Sequence, residues 1–268
     1  MQPKISVITI SYNSEKTIEK TIQSVIQQDY ENLEYIIIDG KSKDGTVDVI
    51  KKYEDKIAYW VSEKDNGISD AFNKGIAAAT GEIIGIVNSD DQYLPGALKA
   101  IADCYDPKVD VYRGAILIHD DIKNIEYTYQ PSMKFGMLPI KVNVCHLPTF
   151  ITKKAYEKYG NYSTDFKLAM DLDLLRRFYR TGAKFKKVDK VLGRFNVGGV
   201  STQAGIDRAF DERRKVILAN GGNMVDVFIY NCLLNAIDVS KKLVNLGKID
   251  YLKIRYCFGS EYEKNNNT

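Results

Sequence analysis

Short apolar runs alternate with amphipathic segments through the first hundred residues of the chain. The runs at 5–10, 33–39, 57–62 and 83–88 are rich in isoleucine and valine, which predicts buried strands. Between them, apolar residues recur at helical spacing, and helices are predicted from 15 onward, over 46–53 and over 68–79. Ser14 is expected to cap the first helix and Pro95 to lie in the first turn of the fourth. This alternation predicts an α/β fold with a mostly parallel central sheet and helices on both faces.

The second half of the chain is less regular. Strands are predicted over 109–118 and 125–129, a strand pair over 185–188 and 191–196, and helices over 153–159, 169–180, 203–220 and 224–246. The stretch 131–148 has little periodicity, and long loops of this kind are often binding loops. The polar end, 261–268, is predicted to be disordered.

Carboxylates follow two of the predicted buried strands. Asp39 ends the second strand, and Asp90 and Asp91 follow the fourth. In open α/β sheets, ligands bind at this edge. Two carboxylates ~4 Å apart repel by ~4 kcal/mol at an effective dielectric constant of ~20, and a hard divalent cation would offset that repulsion. The alternative is a solvated turn in which the two side chains diverge.

Composition narrows the class of protein. Of 268 residues, 44% are hydrophobic and 27% charged, which is typical of a globular protein. A net charge of +3 is too small to indicate nucleic acid as the main partner. The four cysteines form no CxxC pair, and neither a signal peptide nor a membrane-spanning run is evident, so a cytoplasmic protein is expected. The dinucleotide and P-loop glycine motifs are absent as well.

Several short motifs together resemble the inverting family 2 glycosyltransferases, which have a GT-A fold. The resemblance covers roughly residues 4–201, and its order and spacing are specific. Asn88 departs from the pattern, because the family's Asp-x-Asp often begins with a carboxylate. The motifs are Val7–Asn13, Ile38–Thr46, Asp65–Gly75, Asn88–Asp91, His146 with its flanking loop, Ala169–Asp173 and Gly198–Ser201.

The resemblance implies a division of the chain and a set of binding residues. It implies a catalytic domain over 1–200, with a nucleotide-sugar half (1–105) and an acceptor half (106–200), then a helical C-terminal extension over 201–260. Asp91 is expected to hold Mn²⁺ or Mg²⁺, and Asp90 to be shared between metal and ribose. The implied nucleotide-sugar contacts are Thr9, Ser11, Tyr12, Asp39, Asp65, Asp70, Asn73, Asn88 and Asp90.

Some of these assignments have alternatives in which the residue has a purely structural role or is simply solvated. Asp39 would accept hydrogen bonds from the base or ribose, or else serve as a turn carboxylate. Asp70 and Asn73 share one helix face, which could contact the donor or simply be solvated. His146 is an acceptor-side or metal-side contact, or else a structural histidine. Ser201 belongs to a loop that would close over the diphosphate.

Asp171 and Asp173 can be distinguished by helical spacing. Asp171 shares the side of its helix with Leu174, Leu175 and Phe178, and partial removal from water makes a carboxylate a better base. Asp173 is spaced with arginines and is expected to form an ordinary surface pair. We therefore predict Asp171 as the base that deprotonates the acceptor, in agreement with the family pattern.

The expected function is transfer of a sugar, with inversion, from a nucleotide-sugar, with UDP-sugars favoured, to a hydroxyl of a glycan or lipid-linked acceptor in polysaccharide biosynthesis. The alternatives are a sugar-phosphate nucleotidyltransferase and a catalytically silent binding module of the same fold. The basic, amphipathic C-terminal helix would suit a membrane surface, but packing against the domain or a second subunit is favoured.

Overall fold

The computed structural model of the chain describes residues 2–120, 125–131, 133, 145–196 and 206–232. A helical segment over 224–232 follows the last named helix. The strands are β1 (Ile5–Ser11), β2 (Leu33–Asp39), β3 (Tyr59–Ser62), β4 (Ile83–Asn88), β5 (Gln92–Tyr93), β6 (Val111–Asp120), β7 (Ile125–Tyr129), β8 (Thr149–Thr152) and β9 (Phe185–Asn196). The helices are α1 (Ile18–Ile26), α2 (Thr46–Lys51), α3 (Ile68–Ala78), α4 (Ala97–Asp103), α5 (Lys153–Tyr159), α6 (Met170–Arg180) and α7 (Ile206–Ala219).

The described strands form one sheet in the order β3-β2-β1-β4-β8-β6-β9-β5, with β7 paired to β6. The first four are parallel, and their register sets Ser11 opposite Asp39 and Ile10 opposite Asn88. The α/β fold is confirmed. The aligned register brings the polar ends of β1, β2 and β4 to one edge of the sheet.

The second half of the sheet is mixed, so the expectation of a mostly parallel sheet holds only for its first half. β8 is antiparallel to β4 and β6, whereas β9 is parallel to β6 and antiparallel to β5. The predicted strand pair over 185–196 is wrong. Residues 185–196 form one strand, and its pairing with β6 shifts register between Arg113 and Ile116.

Helices cover both faces of the sheet because strand residues alternate in direction. Val7 of β1 belongs to a core shared with α1, α2 and α4, whereas its neighbour Ile8 belongs to a core shared with α3, α5 and α6. Phe72 of α3 is fully buried in the second core. The segment 224–232 packs on α7 through Val227 and Tyr230, which contact Ile217.

Two predicted helix starts are displaced. The carbonyl of Ser14 accepts the Thr17 and Ile18 N–H groups, but no side chain caps α1, which begins three residues later than predicted. Pro95 lies two residues before α4, and Gly96 takes the left-handed conformation (φ 73°) at its N-cap. In the described part of the chain, the helices are all too short or too polar to cross a membrane. The remainder of the predicted 224–246 helix and the 261–268 end lie outside that part.

Candidate active site

Asp39 is the centre of a hydrogen-bond network at the end of β2. Asp39 is fully buried. Its carboxylate accepts hydrogen bonds from the hydroxyls of Ser11 (3.0 Å), Ser42 (2.5 Å) and Ser62 (2.6 Å) and from the Ser42 N–H (2.9 Å). A carboxylate has about four lone-pair sites, so these donors occupy it. Asp39 therefore fixes the loops around it, and its lone pairs are taken by the protein.

The two loops that follow β1 and β2 hold each other. The Asn13 N–H donates to the Ser42 hydroxyl (2.8 Å), and the Asn13 side-chain oxygen accepts from the Lys43 N–H (2.8 Å). Asn13 and Lys41 both have positive φ angles, 48° and 64°. Non-glycine residues rarely adopt this conformation, and it tends to persist where the surrounding contacts over-determine the backbone.

Tyr12, Gly40 and Asp65 meet at the outer side of these loops. Tyr12 is 60% exposed, which leaves an aromatic face open to solvent. A Cβ on Gly40 would overlap Asp65 Oδ2 and would lie 3.4 Å from the Tyr12 ring. Asp65 Oδ1 accepts from the Gly67 N–H (2.9 Å). A flat group could stack on Tyr12 here beside a carboxylate oxygen.

Thr9 is not available to contact a nucleotide-sugar, contrary to the expectation from the sequence. It is fully buried, and its hydroxyl is hydrogen-bonded to the Tyr35 hydroxyl at 2.9 Å. Because side chains alternate along a strand, Thr9 lies on the same face of the sheet as Val7, which packs in the core shared with α1, α2 and α4.

The turn after β4 is mostly withdrawn from water. Asp91 is 1% exposed; its Oδ1 accepts from the backbone N–H of Asn196 (3.1 Å) at the end of β9. The Asn196 side chain donates to the Asp90 carbonyl (2.5 Å). Asp91 Oδ2 and Asn88 Oδ1 are buried and have no hydrogen-bond partner. Two acceptor oxygens without donors therefore lie within one turn of chain.

The ionised forms of Asp90 and Asp91 are disfavoured in this turn unless a cation is nearby. Burial raises the pKa of Asp91 well above its usual range, and the charge of Asp90 raises it further. Burial also raises the pKa of Asp90. His146 opposes both shifts. A divalent cation would relieve the desolvation and the repulsion together.

Asp171 lies in the first turn of α6, against His146. Asp171 Oδ2 is 3.1 Å from both the backbone nitrogen and the Nδ1 of His146, and Asp171 Oδ1 is buried without a partner. The His146 ring packs on Phe72, with centroids 5.2 Å apart. One carboxylate oxygen is thus held by the protein, while the other remains an unused acceptor.

His146 connects the two acidic groups of the site. Burial lowers the pKa of His146, but the charge of Asp171 and the hydrogen bond to it, with the charges of Asp91 and Asp90, outweigh burial and leave the pKa raised. His146 Nε2 is buried and has no partner. The histidine is therefore a candidate for more than packing.

The prediction that Asp173 forms an ordinary surface ion pair is wrong. It is 4% exposed and accepts from the Asn220 side chain (2.9 Å) of the α7 C-cap region as well as from Arg177 (3.3 Å). Arg176, expected on the charged face, is buried too. Helical spacing placed these residues opposite the sheet, but α7 covers that side of α6.

Asp70 and Asn73 have protein partners. The Asn73 side chain donates to the Tyr162 carbonyl (2.9 Å) and accepts from the Tyr162 N–H (3.0 Å). Asp70 accepts from the Asn66 N–H (2.9 Å) and lies 3.6 Å from the Lys74 ammonium. Asn73 therefore holds the segment before α6, which neither the donor-contact nor the solvated-face interpretation predicted. Ser201 and its loop lie outside the described residues.

Sequence reasoning missed Asn196, Ser42 and Ser62. Ser62 could have been found, because it ends a predicted strand beside Asp39, and Ser42 lies in the motif that follows β2. Nothing in the sequence pairs Asn196 with Asp91, because their contact depends on how β9 joins the sheet. Among the described residues, His, Cys, Asp and Glu side chains form no group of three or more that could hold a metal.

Comparison with known proteins identifies the family. The model described as "Glycosyl transferase family 2" matches residues 6–164, more than half of the chain. The chain belongs to glycosyl transferase family 2. An uncharacterized glycosyltransferase of Mycobacterium tuberculosis is 32% identical over 180 residues, which cover 65% of this chain and 68% of that protein. Glycosyl transfer is thus the activity that the family assignment supports.

Other similar proteins carry more specific names. The "GalNAc(5)-diNAcBac-PP-undecaprenol beta-1,3-glucosyltransferase" of Campylobacter jejuni is 35% identical over 103 residues, or 37% of this glycosyltransferase and 33% of that one. The structure of S. aureus TarS (residues 1-349) with UDP-GlcNAc aligns with a TM-score of 0.61 at 19% identity, covering 80% of this chain and 65% of that chain.

A second structure, the mannosyltransferase PcManGT of Pyrobaculum calidifontis with GDP-Man and Mn²⁺, aligns with a TM-score of 0.62 at 19% identity, covering 81% of this chain and 63% of that one. This glycosyltransferase therefore spans just under two thirds of both structures. At such identities the likeness establishes the shared GT-A fold.

Proposed function

We propose that the protein is an inverting glycosyltransferase that moves a sugar from a UDP-sugar to a hydroxyl of a glycan or lipid-linked acceptor in polysaccharide biosynthesis. The observation that carries the proposal is the Asp171 carboxylate. One of its oxygens is held by His146, and the other is unpartnered, while the charges of Asp90 and Asp91 also act on His146. The proposed catalytic base and the acidic turn proposed to bind the nucleoside diphosphate are thus linked by one histidine.

The reaction is a single displacement. The acceptor oxygen attacks the anomeric carbon on the face opposite the leaving group; the new C–O bond forms as the bond to the diphosphate breaks. The acceptor's proton passes to Asp171 Oδ1, the oxygen without a partner. The His146 N–H groups hold Oδ2 and fix the carboxylate's orientation.

The residues of the β4 turn fit a divalent cation. Asp91 Oδ2 and Asn88 Oδ1 are buried oxygens without donors, and oxygen is the ligand that Mg²⁺ and Mn²⁺ prefer. Metal sites of this kind often use one or two carboxylates plus substrate phosphates, so few protein ligands are required. Asp91 would hold the cation, with Asp90 shared between cation and ribose. The bound cation would offset the charge that develops on the leaving diphosphate.

The donor's base is proposed to stack on Tyr12, beside Asp65 and Gly40. The named structural relatives hold UDP-GlcNAc in one case and GDP-Man in the other, so their nucleotides do not decide the matter. In this proposed slot Tyr12 offers an exposed aromatic face, and the Asp65 carboxylate suits an N–H such as that of uracil. Ser11 and Asp39 order the loops that form this slot.

Nucleotide binding is tested by thermal stability with UDP, GDP, TDP and CDP, each with Mn²⁺ and with EDTA. A ligand at a hundredfold excess over its Kd stabilises the folded state by ~2.7 kcal/mol. We expect metal-dependent stabilisation by UDP. No stabilisation by any of the four would contradict the nucleotide site and favour a silent binding module.

Catalysis is tested with Asp171→Asn. The variant should keep the UDP-dependent stabilisation but lose release of UDP from UDP-sugars by a factor of roughly 10² to 10⁴. Asp165→Asn is the matched control, because Asp165 is an exposed carboxylate in the segment that leads to α6. Undiminished turnover in Asp171→Asn would refute the assignment of the base.

A further inference from the structure

Glu212 of α7 holds the backbone that leads into the Asp171 helix. Its Oε2 accepts three N–H groups in succession, from Lys167 (3.0 Å), Leu168 (2.7 Å) and Ala169 (2.9 Å). Ala169 is the N-cap of α6, two residues before Asp171. Hydrogen bonds to an ionised acceptor are roughly twice as strong as neutral ones, so this contact fixes the backbone strongly.

The start of α6 needs such a partner. Its N-cap is an alanine, and no side chain of the cap residue satisfies the first N–H groups. Glu212, on a different helix, accepts from the N–H of the N-cap residue Ala169 and from the two N–H groups before it, and so holds the backbone that enters α6. A second contact, from Asn220 just beyond the end of α7 to Asp173 (2.9 Å), holds the first turn of α6 itself. The entry to α6 and its first turn are therefore each held by one contact from α7 or its C-terminal end.

We propose that Glu212 is a positioning residue that holds the first turn of α6 so that Asp171 meets His146. The geometry links Glu212 to Asp171 through two residues of backbone, and Asp171 Oδ2 to His146 at 3.1 Å. α7 lies beyond residues 6–164, the part of the chain matched by the family model. The catalytic meaning of this contact rests on the proposed role of Asp171 as the base.

A matched control residue stands next to Glu212. Asp211 carries the same charge on the same helix, is exposed, and makes an ion pair with Arg214 one turn away. Asp211→Asn removes one negative charge from α7 without touching the segment 167–169. A general effect of α7 charge or stability would appear in both variants, whereas positioning of Asp171 would appear only at Glu212.

The first experiment needs no substrate. The chain has two histidines, so the imidazole NMR signals report His146 and, as an internal reference, His119 of β6. The Asp171→Asn variant gives the reference chemical shift of His146 without its carboxylate partner. We expect Glu212→Ala to move the His146 signal toward that value and Asp211→Asn to leave it unchanged. An unmoved His146 signal in Glu212→Ala would overturn the proposal.

Glu212→Gln keeps one acceptor oxygen and removes the charge, so it should fold even where the alanine variant does not. Its His146 signal should lie between those of the unchanged protein and of Asp171→Asn. A signal identical to that of the unchanged protein, with no change in the α6 backbone signals, would also overturn the proposal.

The second experiment is a double-mutant cycle on the release of UDP from UDP-sugars. Glu212→Ala should lower kcat roughly 10- to 100-fold with little change in the donor KM, as expected when a catalytic group is misplaced. In the Asp171→Asn background the same change should have no further effect. An equal loss in both backgrounds would mean a purely structural role. Unchanged turnover in Asp171→Asn alone would refute the base instead, and the NMR result would still decide the positioning.

Discussion

Asp91 is the residue whose charge costs the metal-free protein stability. Burial and the charge of Asp90 raise its pKa, so the native state binds a proton more tightly than the unfolded chain does. The contribution of Asp91 to stability should therefore fall as pH rises from about 4, the value of a free carboxyl, toward its raised native pKa. The proposed cation site would need this charge, and the fold tolerates its cost.

Asp91→Asn should consequently stabilise the protein in EDTA at pH 7. A gain of ~1 kcal/mol corresponds to a Tm increase of about 2–4 °C for a protein of this size. The gain should vanish below about pH 4, where the unchanged carboxyl is protonated. Scanning calorimetry at several pH values tests this, with exposed Asp189→Asn as the control. Stabilisation by UDP with Mn²⁺ should be absent from the Asp91 variant, and a lower Tm in EDTA would contradict the prediction.

At the residue scale, the sequence identified the acidic site but not its neighbours. Asp39, Asp91 and Asp171 follow from strand ends and helical spacing, which are local signals. The burial of Asp173 could not be predicted, because it depends on Asn220, which follows the end of α7 and is distant in sequence. Two of the three serines that donate to Asp39, Ser11 and Ser62, end neighbouring strands, so their contact with Asp39 follows once the parallel order of β1, β2 and β3 is known.

At the scale of elements, α3 joins the first half of the chain to the segment that precedes α6. The joint is Asn73, whose side chain makes two hydrogen bonds to the Tyr162 backbone. Tyr162 also packs on Phe72, with centroids 5.0 Å apart. Loss of a partner leaves the Tyr162 groups unsatisfied, which costs about 1–3 kcal/mol for a buried group.

Asn73→Ala should therefore lower the free energy of unfolding by about 1–3 kcal/mol and leave the affinity for UDP unchanged. Urea unfolding and calorimetric titration measure the two quantities separately. Asp70→Asn, one turn earlier on the same helix, is the control, because its side chain bonds only locally. A large loss of UDP affinity in Asn73→Ala would restore the donor-contact interpretation.

Elements were predictable where their pattern is strong. The isoleucine-rich strands β1, β2 and β4 match their predicted ranges because a buried parallel strand is a continuous apolar run. β5 has two residues and leaves no periodic signal. The continuity of β9 through Asp189 was missed because exposed charged residues within a run look like a turn, whereas here they lie near a register shift against β6.

At the scale of the molecule, the two halves of the chain share one sheet and two cores. β5 follows β4 in sequence yet pairs with β9, and β8 pairs with β4. Each core draws residues from both halves, as Ile5 and Tyr112 do in one and Ile8 and Leu174 in the other. The backbone of Asn196 completes the Asp91 site from the far half. The site therefore exists only where the halves are joined.

The halves should accordingly unfold together. Trp60 is the chain's one tryptophan and lies on β3 in the first half, whereas His146 lies in the second. Because the shared strand pairs and cores must break at once, Trp60 fluorescence, the His146 NMR signal and far-ultraviolet circular dichroism should give one coincident thermal transition. UDP with Mn²⁺ should shift all three equally, although the proposed base slot lies in the first half. A Trp60 transition separated from that of His146 would mean that the first half of the chain is an independent folding unit. The turn that holds Asp91 could then open while the region around Asp171 stays folded.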